Sequence, residues 1–293
     1  MLPAVPQKSA VRRRPSVALV GPGNLGTALA LTLAGAGYPV KFVVIKPSRA
    51  RDRGVTGLAK RIKAQMVVLG SQRLDSNIVW LTVPDDSIAA VARALAIAQD
   101  WKGKYVFHSS GALTSDELAS LRKRGARVAS AHPMMTFVRG AAPEMAGVSF
   151  ALEGDAAAVR MARAVVENLG ARAFVIKKEN KVLYHAFGSF ASPLVIALMA
   201  SMEHVGKAAG IRRQDIKMVI LPLLSQTLQN YLKRDAASAF SGPLVRGDVA
   251  TVRKHLSELK KLPEARAVYL ALAKASLKSL PVNNRKALER ELR

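Results

Sequence analysis

The clearest chemical signal in this 293-residue chain is the run Gly21-Pro22-Gly23-Asn24-Leu25-Gly26, a G-x-G-x-x-G pattern. The apolar stretch Ser16-Val17-Ala18-Leu19-Val20 precedes it, and Thr27 to Ala36 follows as an apolar helical segment. Strand, glycine turn and helix in that order build a cradle for a pyrophosphate. Gly21 permits the tight turn, Gly23 lets backbone approach the phosphates for want of a Cβ, and Gly26 lets the helix pack close to the strand. Asn24 and Leu25 complete the turn, and the helix N-terminus offers unbonded N–H groups and a positive dipole end. A second strand, Val40 to Ile45, stands at the distance expected of a dinucleotide-binding unit.

The end of that second strand reads Ile45-Lys46-Pro47-Ser48-Arg49-Ala50-Arg51-Asp52-Arg53. An acid at this point holds the ribose hydroxyls in NAD enzymes, whereas an arginine accommodates a 2′-phosphate. Lys46, Ser48 and Arg49 stand here instead of an acid, and Asp52 sits too far along. The cofactor expected is NADP(H).

Hydride transfer between a nicotinamide and C=O or C=N also requires a proton to be given or taken, work suited to histidine. Ligands of open α/β sheets bind beyond the carboxyl ends of the strands. Three loops follow strands and can reach one crevice: Val83-Pro84-Asp85, Ser109-Ser110-Gly111 and His132-Pro133. We expect Val83, Pro84, Asp85 and Ser109 on the cofactor side. The start of a long helix, with Tyr184 and His185, would form the other wall. Tyr184 and His185 point in different directions from that helix, and His185 is preferred as the proton donor, with Tyr184 as its substitute. His132 either shares the chemistry or holds its loop, and His108 packs at a strand end. Arg246 either holds a substrate anion or pairs with Asp248. Five histidines without metal-ligand spacing and the absence of cysteine predict no metal site.

The elements that position these groups alternate. Strands are expected at 66–69, 77–84, 105–108, 127–131, 149–152 and 172–176, with helices at 88–98, from 114 or 115 to 125, and at 155–169. That alternation argues for a doubly wound, mainly parallel sheet. From Lys178 on the pattern is helical: 181–209 as one helix kinked at Pro193, then 213–232, 249–260 and 263–279. Val182 to Met202 is long enough to be weighed as a membrane span. We read it instead as a helix buried among others, because it follows an α/β domain and carries His185, Ser189 and Ser192. Residues 1–15 read as a disordered basic tail. Its Arg12-Arg13-Arg14 imitates a secretory signal, but cleavage beyond it would remove the first strand, so a cytoplasmic location is expected. The excess of 45 Lys and Arg over 20 Asp and Glu, formally +25, speaks to partners and solubility rather than fold. The basic residues are spread over many helices without a nucleic-acid-binding motif, which favours a solvated basic surface over a nucleic-acid partner.

From Ser16 to Leu277 the chain resembles the Rossmann-like proteins that carry a DUF2520 helical domain, relatives of 6-phosphogluconate dehydrogenase, hydroxyisobutyrate dehydrogenase and pyrroline-5-carboxylate reductase. The marks are the glycine run, Val83-Pro84-Asp85, His108-Ser109-Ser110-Gly111-Ala112, His132-Pro133-Met134-Met135-Thr136-Phe137, Tyr184-His185-Ala186 and 241–248. The resemblance implies an α/β fold: a Rossmann domain over 16–177 followed by an all-α domain over 178–293. It implies a nicotinamide-dependent oxidoreductase acting on a small carbonyl, imine or hydroxy-acid type substrate, and a homodimer formed through the helical domain. Hydroxyisobutyrate-type relatives bind substrate with a Ser-Gly-Gly loop, which Ser110-Gly111-Ala112 matches except at its last residue. They also use a Lys and an Asn one helical turn apart. That spacing falls here on His185 and Ser189, or on Lys181 and His185, so Gly111 and Ser189 enter as candidate substrate contacts and Ser110 as a candidate catalytic residue. The departures keep open a non-catalytic NADP(H)-binding regulator, and the charge keeps open a polyanion-binding protein.

Overall fold

The computed structural model describes residues 14–138 and 144–293. Of the basic tail expected over 1–15, residues 1–13 lie outside the described residues. Two compact units are present, up to Gly188 and from Ser189 onward.

The first unit is an eight-stranded sheet in the order β3-β2-β1-β4-β5-β6-β7-β8. The strands are β1 Val17–Val20, β2 Val40–Ile45, β3 Gln65–Val68, β4 Ile78–Leu81, β5 Tyr105–His108, β6 Arg127–Pro133, β7 Ser149–Gly154 and β8 Arg172–Val175. The central strands β1 and β4 are buried at every residue, as strands covered on both faces must be, which explains their unbroken apolar runs. Helices α1 (Asn24–Gly35), α2 (Arg53–Arg61), α3 (Asp85–Ala98), α4 (Ala119–Lys123) and α5 (Ala156–Asn168) make the crossovers. One apolar layer joins Leu29, Leu33, Trp80, Phe107, Phe150 and Val165; the other joins Val79, Ile88, Leu95, Trp101, Val106 and Leu121. Trp80 meets Phe107 edge to face at 5.3 Å between ring centres. The order of the first six strands places a topological switch point between β1 and β4, the natural entry for a ligand. Strand β7 runs antiparallel to β6 and β8 runs parallel to β7, a reversal that strand–helix alternation alone does not reveal.

Helix α6 spans Lys181–Ala191 and α7 spans Pro193–Ala208. The single kinked helix expected over 181–209 is therefore two helices. Ser192 leaves helical geometry (φ −131°, ψ −85°) and Pro193 opens α7, because proline lacks the N–H that would continue the first helix but suits the first position of the next.

The second unit contains α7, α8 (Ile216–Lys233), α9 (Ala236–Ala239), α10 (Pro243–Arg246), α11 (Val249–Glu258), α12 (Pro263–Ser279) and α13 (Arg285–Glu291). Its core is small and joins α11, α12 and α13 through Val252, Leu256, Ala273, Leu277, Leu288 and Leu292. Residues 178–208 are long and apolar enough to cross a membrane by length and composition, yet only 6% of the most apolar stretch is buried. The expectation that this segment is buried among other helices is corrected: α7 has no buried residue, because its own chain covers too little of it.

Candidate functional site

The glycine turn has the shape its sequence implies. Gly21 takes φ +90°, and a Cβ there would lie 2.6 Å from Val83. A Cβ on Gly26 would lie 2.5 Å from the Thr82 hydroxyl, which donates to the Gly21 carbonyl at 2.7 Å. Both glycines are thus required by the protein's own packing. Gly23 differs, because nothing lies within 4 Å of the position its Cβ would take. The protein's own packing does not need a glycine there, and the lack of a Cβ leaves the backbone open to close approach. Helix α1 begins at the next residue with no side-chain cap and no acid in its first turn, leaving its first N–H groups for an anion. Helix α2, by contrast, is capped by Asp52, and α3 carries Asp85 and Asp86 in its first turn. Asn24 reaches back to donate to the Phe137 carbonyl at 3.1 Å, and Leu25 packs against the core beneath.

A cavity of about 270 Å³ adjoins the turn, lined among others by Gly21, Gly23, Ile45, Lys46, Arg49, Val83 and Pro84. Lys46, which lines it, and Ser48, which does not, are both exposed. Arg49 lines the cavity too, but with partners. Its Nε and Nη2 donate to Asp52 at 3.0 and 2.5 Å, and its Nη1 donates to the Pro22 carbonyl at 3.2 Å. Asp52 also accepts from the Val55 N–H, and the Arg49 hydrogen bond holds its carboxyl below the ordinary value. Sequence reasoning set Asp52 aside; the structure makes it the ion-pair partner of Arg49.

The second cluster lies at the same end of the sheet, on the loop after β5 and on β6 itself, which runs through His132 and Pro133 paired to β7 rather than stopping at Ala131 as expected. His108 is fully buried and accepts from the Ser110 N–H on Nδ1 at 3.1 Å. That leaves its Nε2–H to donate to the Thr114 carbonyl at 3.0 Å. This fixes a neutral tautomer and makes His108 a loop support. Ser110 is spent likewise: its hydroxyl donates to Asp85 at 2.7 Å and accepts from the Leu113 N–H at 2.9 Å. Ser109 accepts from the Trp80 indole at 2.9 Å.

His132 and Tyr184 share a 2.8 Å hydrogen bond through Nδ1 and the phenol oxygen. Burial, then the charges of Lys181 and His185, push His132 down to about 4. Burial pushes the Tyr184 phenol up to about 12. Both are neutral near pH 7, so the pair is a hydrogen bond between uncharged groups. The His185 ring stands 6.1 Å from that of His132 and is exposed to solvent. Gly111 lies between them, and a Cβ on it would come within 2.6 Å of His185 and 2.8 Å of His132 Nε2. The glycine is what lets both imidazoles meet one loop.

Sequence reasoning brings together Gly111, Ser110, His132, Tyr184 and His185. It missed Ser130, and it gave Lys181 a place only in the helical spacing and as an alternative proton donor. Lys181 is 1% exposed and donates to the Ser110 carbonyl at 3.0 Å and to the Ser130 hydroxyl at 2.5 Å. The available signal was a lone serine inside the buried strand Val128-Ala129-Ser130-Ala131. Ser189 stands farther along α6 and opens the second unit. Arg246 ends α10 within that unit, where Asp248 caps α11 by accepting from the Thr251 N–H at 3.0 Å. Among the described residues no group of acids and histidines is placed to hold a metal ion.

A Rossmann-like domain model matches residues 4–133, and the model of the domain of unknown function DUF2520 matches residues 148–276. A search of the curated proteins finds no match. Among solved structures, a candidate NADP oxidoreductase from Bacteroides fragilis is similar at 19% identity and TM-score 0.73, over 90% of this chain and 98% of that one. Protein TM1727 from Thermotoga maritima is 25% identical with TM-score 0.69, over 94% and 100%. An imine reductase from Myxococcus stipitatus, solved with NADP+, is 16% identical with TM-score 0.64, over 90% and 95%. One model thus lies on each half of the chain, a Rossmann-like domain followed by a DUF2520 domain.

Proposed function

We propose that this protein is an NADP(H)-dependent oxidoreductase that moves a hydride to or from a small carbonyl, imine or hydroxy-acid type substrate. The observation that carries the reading is the pairing, at one end of the sheet, of the open space at Gly23 with the two imidazoles that meet at Gly111. Strands β1, β4, β5 and β6 are neighbours and about 4.8 Å apart. The span from the glycine turn to His132 is therefore on the order of 15 Å, within reach of an extended dinucleotide. The likeness to an imine reductase solved with NADP+ supports the same reading.

The turn at Gly21 to Gly26 and the start of α1 would hold the pyrophosphate, and Lys46, Ser48 and Arg49 the 2′-phosphate. The reduced nicotinamide, when bound, supplies the hydride. The chain's own task is then the proton. His132 and Tyr184 are both held neutral and bonded to each other, so they orient and line the site. His185, exposed and seated over Gly111, would donate from its ring N–H to the developing substrate anion. Cytoplasmic location belongs to the same reading.

Cofactor preference gives the first test. Arg49→Ala is expected to weaken NADPH by about 1.5 to 3 kcal/mol, the range for a charge-assisted hydrogen bond, and to leave NADH nearly unchanged. Asp52→Asn keeps the cap on α2 but releases Arg49, so it is expected to tighten NADPH alone. Equal affinity for both cofactors by calorimetry would rule out the 2′-phosphate pocket.

The partner proposed is a second copy of the chain, docked on the helical unit. Leu194, Ile196, Met218, Leu221, Leu223 and Leu228 are all exposed there, beside an apolar groove of about 680 Å³ lined by Leu198, Met202, Val205 and Tyr269. Monomers rarely leave so much apolar surface uncovered. Glu203, His204 and Lys207 on α7 and Gln226 and Asn230 on α8 suit a protein partner better than lipid. Sedimentation at micromolar concentration is expected to give a dimer that Leu221→Arg dissociates. A monomer that partitions onto lipid vesicles would instead support the membrane alternative.

A further inference from the structure

We propose that Lys181 is a positioning residue, a buried clamp that fixes the Ser110–Gly111 peptide beneath the two imidazoles, rather than a proton donor. The inference rests on reading the Gly111 loop as the reaction site. Lys181 opens α6, is 1% exposed, and donates to the Ser110 carbonyl and the Ser130 hydroxyl. The Ser130 hydroxyl in turn donates to the same carbonyl at 3.1 Å. Two donors, one of them charged, therefore converge on the oxygen of the peptide that leads into Gly111. The remaining polar groups of Ser110 are held by His108, Asp85 and Leu113. The peptide cannot rotate without breaking this set.

Gly111 is where precision matters, because both imidazoles approach within what would be collision distance of a single methyl group. A rotated Ser110–Gly111 peptide would move that surface and unseat His132 and His185 together. A buried ammonium bonded to acceptors within the fold is a poor source of protons for a substrate, but it is a strong anchor. Its charge acts on the same groups. Glu153 on β7 and Asp85 on α3 support the charged form, while burial lowers the amine to about 8. His108 on β5 and His132 on β6 are both pushed down by Lys181, after burial. Tyr184 and His185 are the titratable neighbours on α6 itself.

The test uses the full chain without substrate, following histidine ring signals by NMR between pH 4 and 8 and amide exchange over residues 110–113. Lys181→Met keeps the side chain's length and removes the charge and the donors. We expect Leu113 to exchange about tenfold faster, the His132 midpoint to rise, and the NADPH dissociation constant to stay within about twofold, since the glycine turn is untouched. Ser130→Ala keeps the charge and removes one anchor; we expect faster loop exchange with the His132 midpoint unchanged. Unchanged exchange and an unchanged His132 midpoint in Lys181→Met would overturn the clamp. If Lys181→Met did not fold, unchanged exchange in Ser130→Ala would overturn it alone. Failure of NADPH to bind the wild-type chain, with the loop responding as expected, would strike the proposed function and leave the clamp standing.

Discussion

Gly23→Val is expected to abolish NADPH binding while the protein still melts cooperatively at nearly the wild-type temperature. The two halves of this result have separate causes. Nothing lies within 4 Å of the added Cβ position, and Gly23 has extended backbone (φ −80°, ψ −161°) that valine adopts readily. The fold therefore has room for the side chain. The space it enters is the approach of a phosphate to the first N–H groups of α1. Displacing the phosphate from even two charge-assisted hydrogen bonds removes on the order of 3 kcal/mol or more, about a hundredfold or more in affinity. Gly21→Val and Gly26→Val offer the contrast: both collide with the protein itself, so both are expected to lower the melting temperature. Calorimetry with NADPH and thermal melts of the three variants check the set. Wild-type affinity in Gly23→Val would mean that the turn is only structural.

The second large effect is on chemistry. His185→Ala is expected to lower turnover by about 10²- to 10⁴-fold, the usual contribution of a positioned general acid. NADPH affinity should be unchanged, because the glycine turn and the loop at Lys46 to Arg49 do not involve α6. His132→Ala is expected to be milder for turnover and more damaging to stability, since it strands the Tyr184 phenol and opens a buried space beside Gly111. Rate against pH, measured by loss of nicotinamide absorbance once a substrate is found, distinguishes the two. Full turnover in His185→Ala across the pH range would move the acid to Tyr184 or to a water molecule, and α6 would lose its place in the chemistry.

The glycine turn was legible because its shape is written in local sequence: an apolar strand, three glycines at set offsets and an apolar helix. Structure added that the protein's own packing requires Gly21 and Gly26 but leaves Gly23 open. The positions of Asp85, Ser110 and His132 were legible as strand ends, which fixes their end of the sheet. Their hydrogen bonds were not, because Ser110 to Asp85 and Lys181 to Ser130 join residues far apart in sequence. The pairing of Arg49 with Asp52 was missed although the two are close, since a basic run gives no sign of which member an acid will hold. The reversal of β7 and the break at Ser192 depend on long-range pairing and on the turn before Pro193. The uncovered face of α7 was misread as core because apolar composition alone does not tell which chain covers it.

The central claim is that a nicotinamide dinucleotide held at Gly23 reaches the imidazoles at Gly111. The direct measurement is an NADPH titration of the full chain, followed by the ring signals of His132 and His185. The account predicts saturable shifts of both rings with wild-type protein and none with Gly23→Val. Saturable NADPH binding that leaves both rings unmoved, or no binding at all, would contradict it.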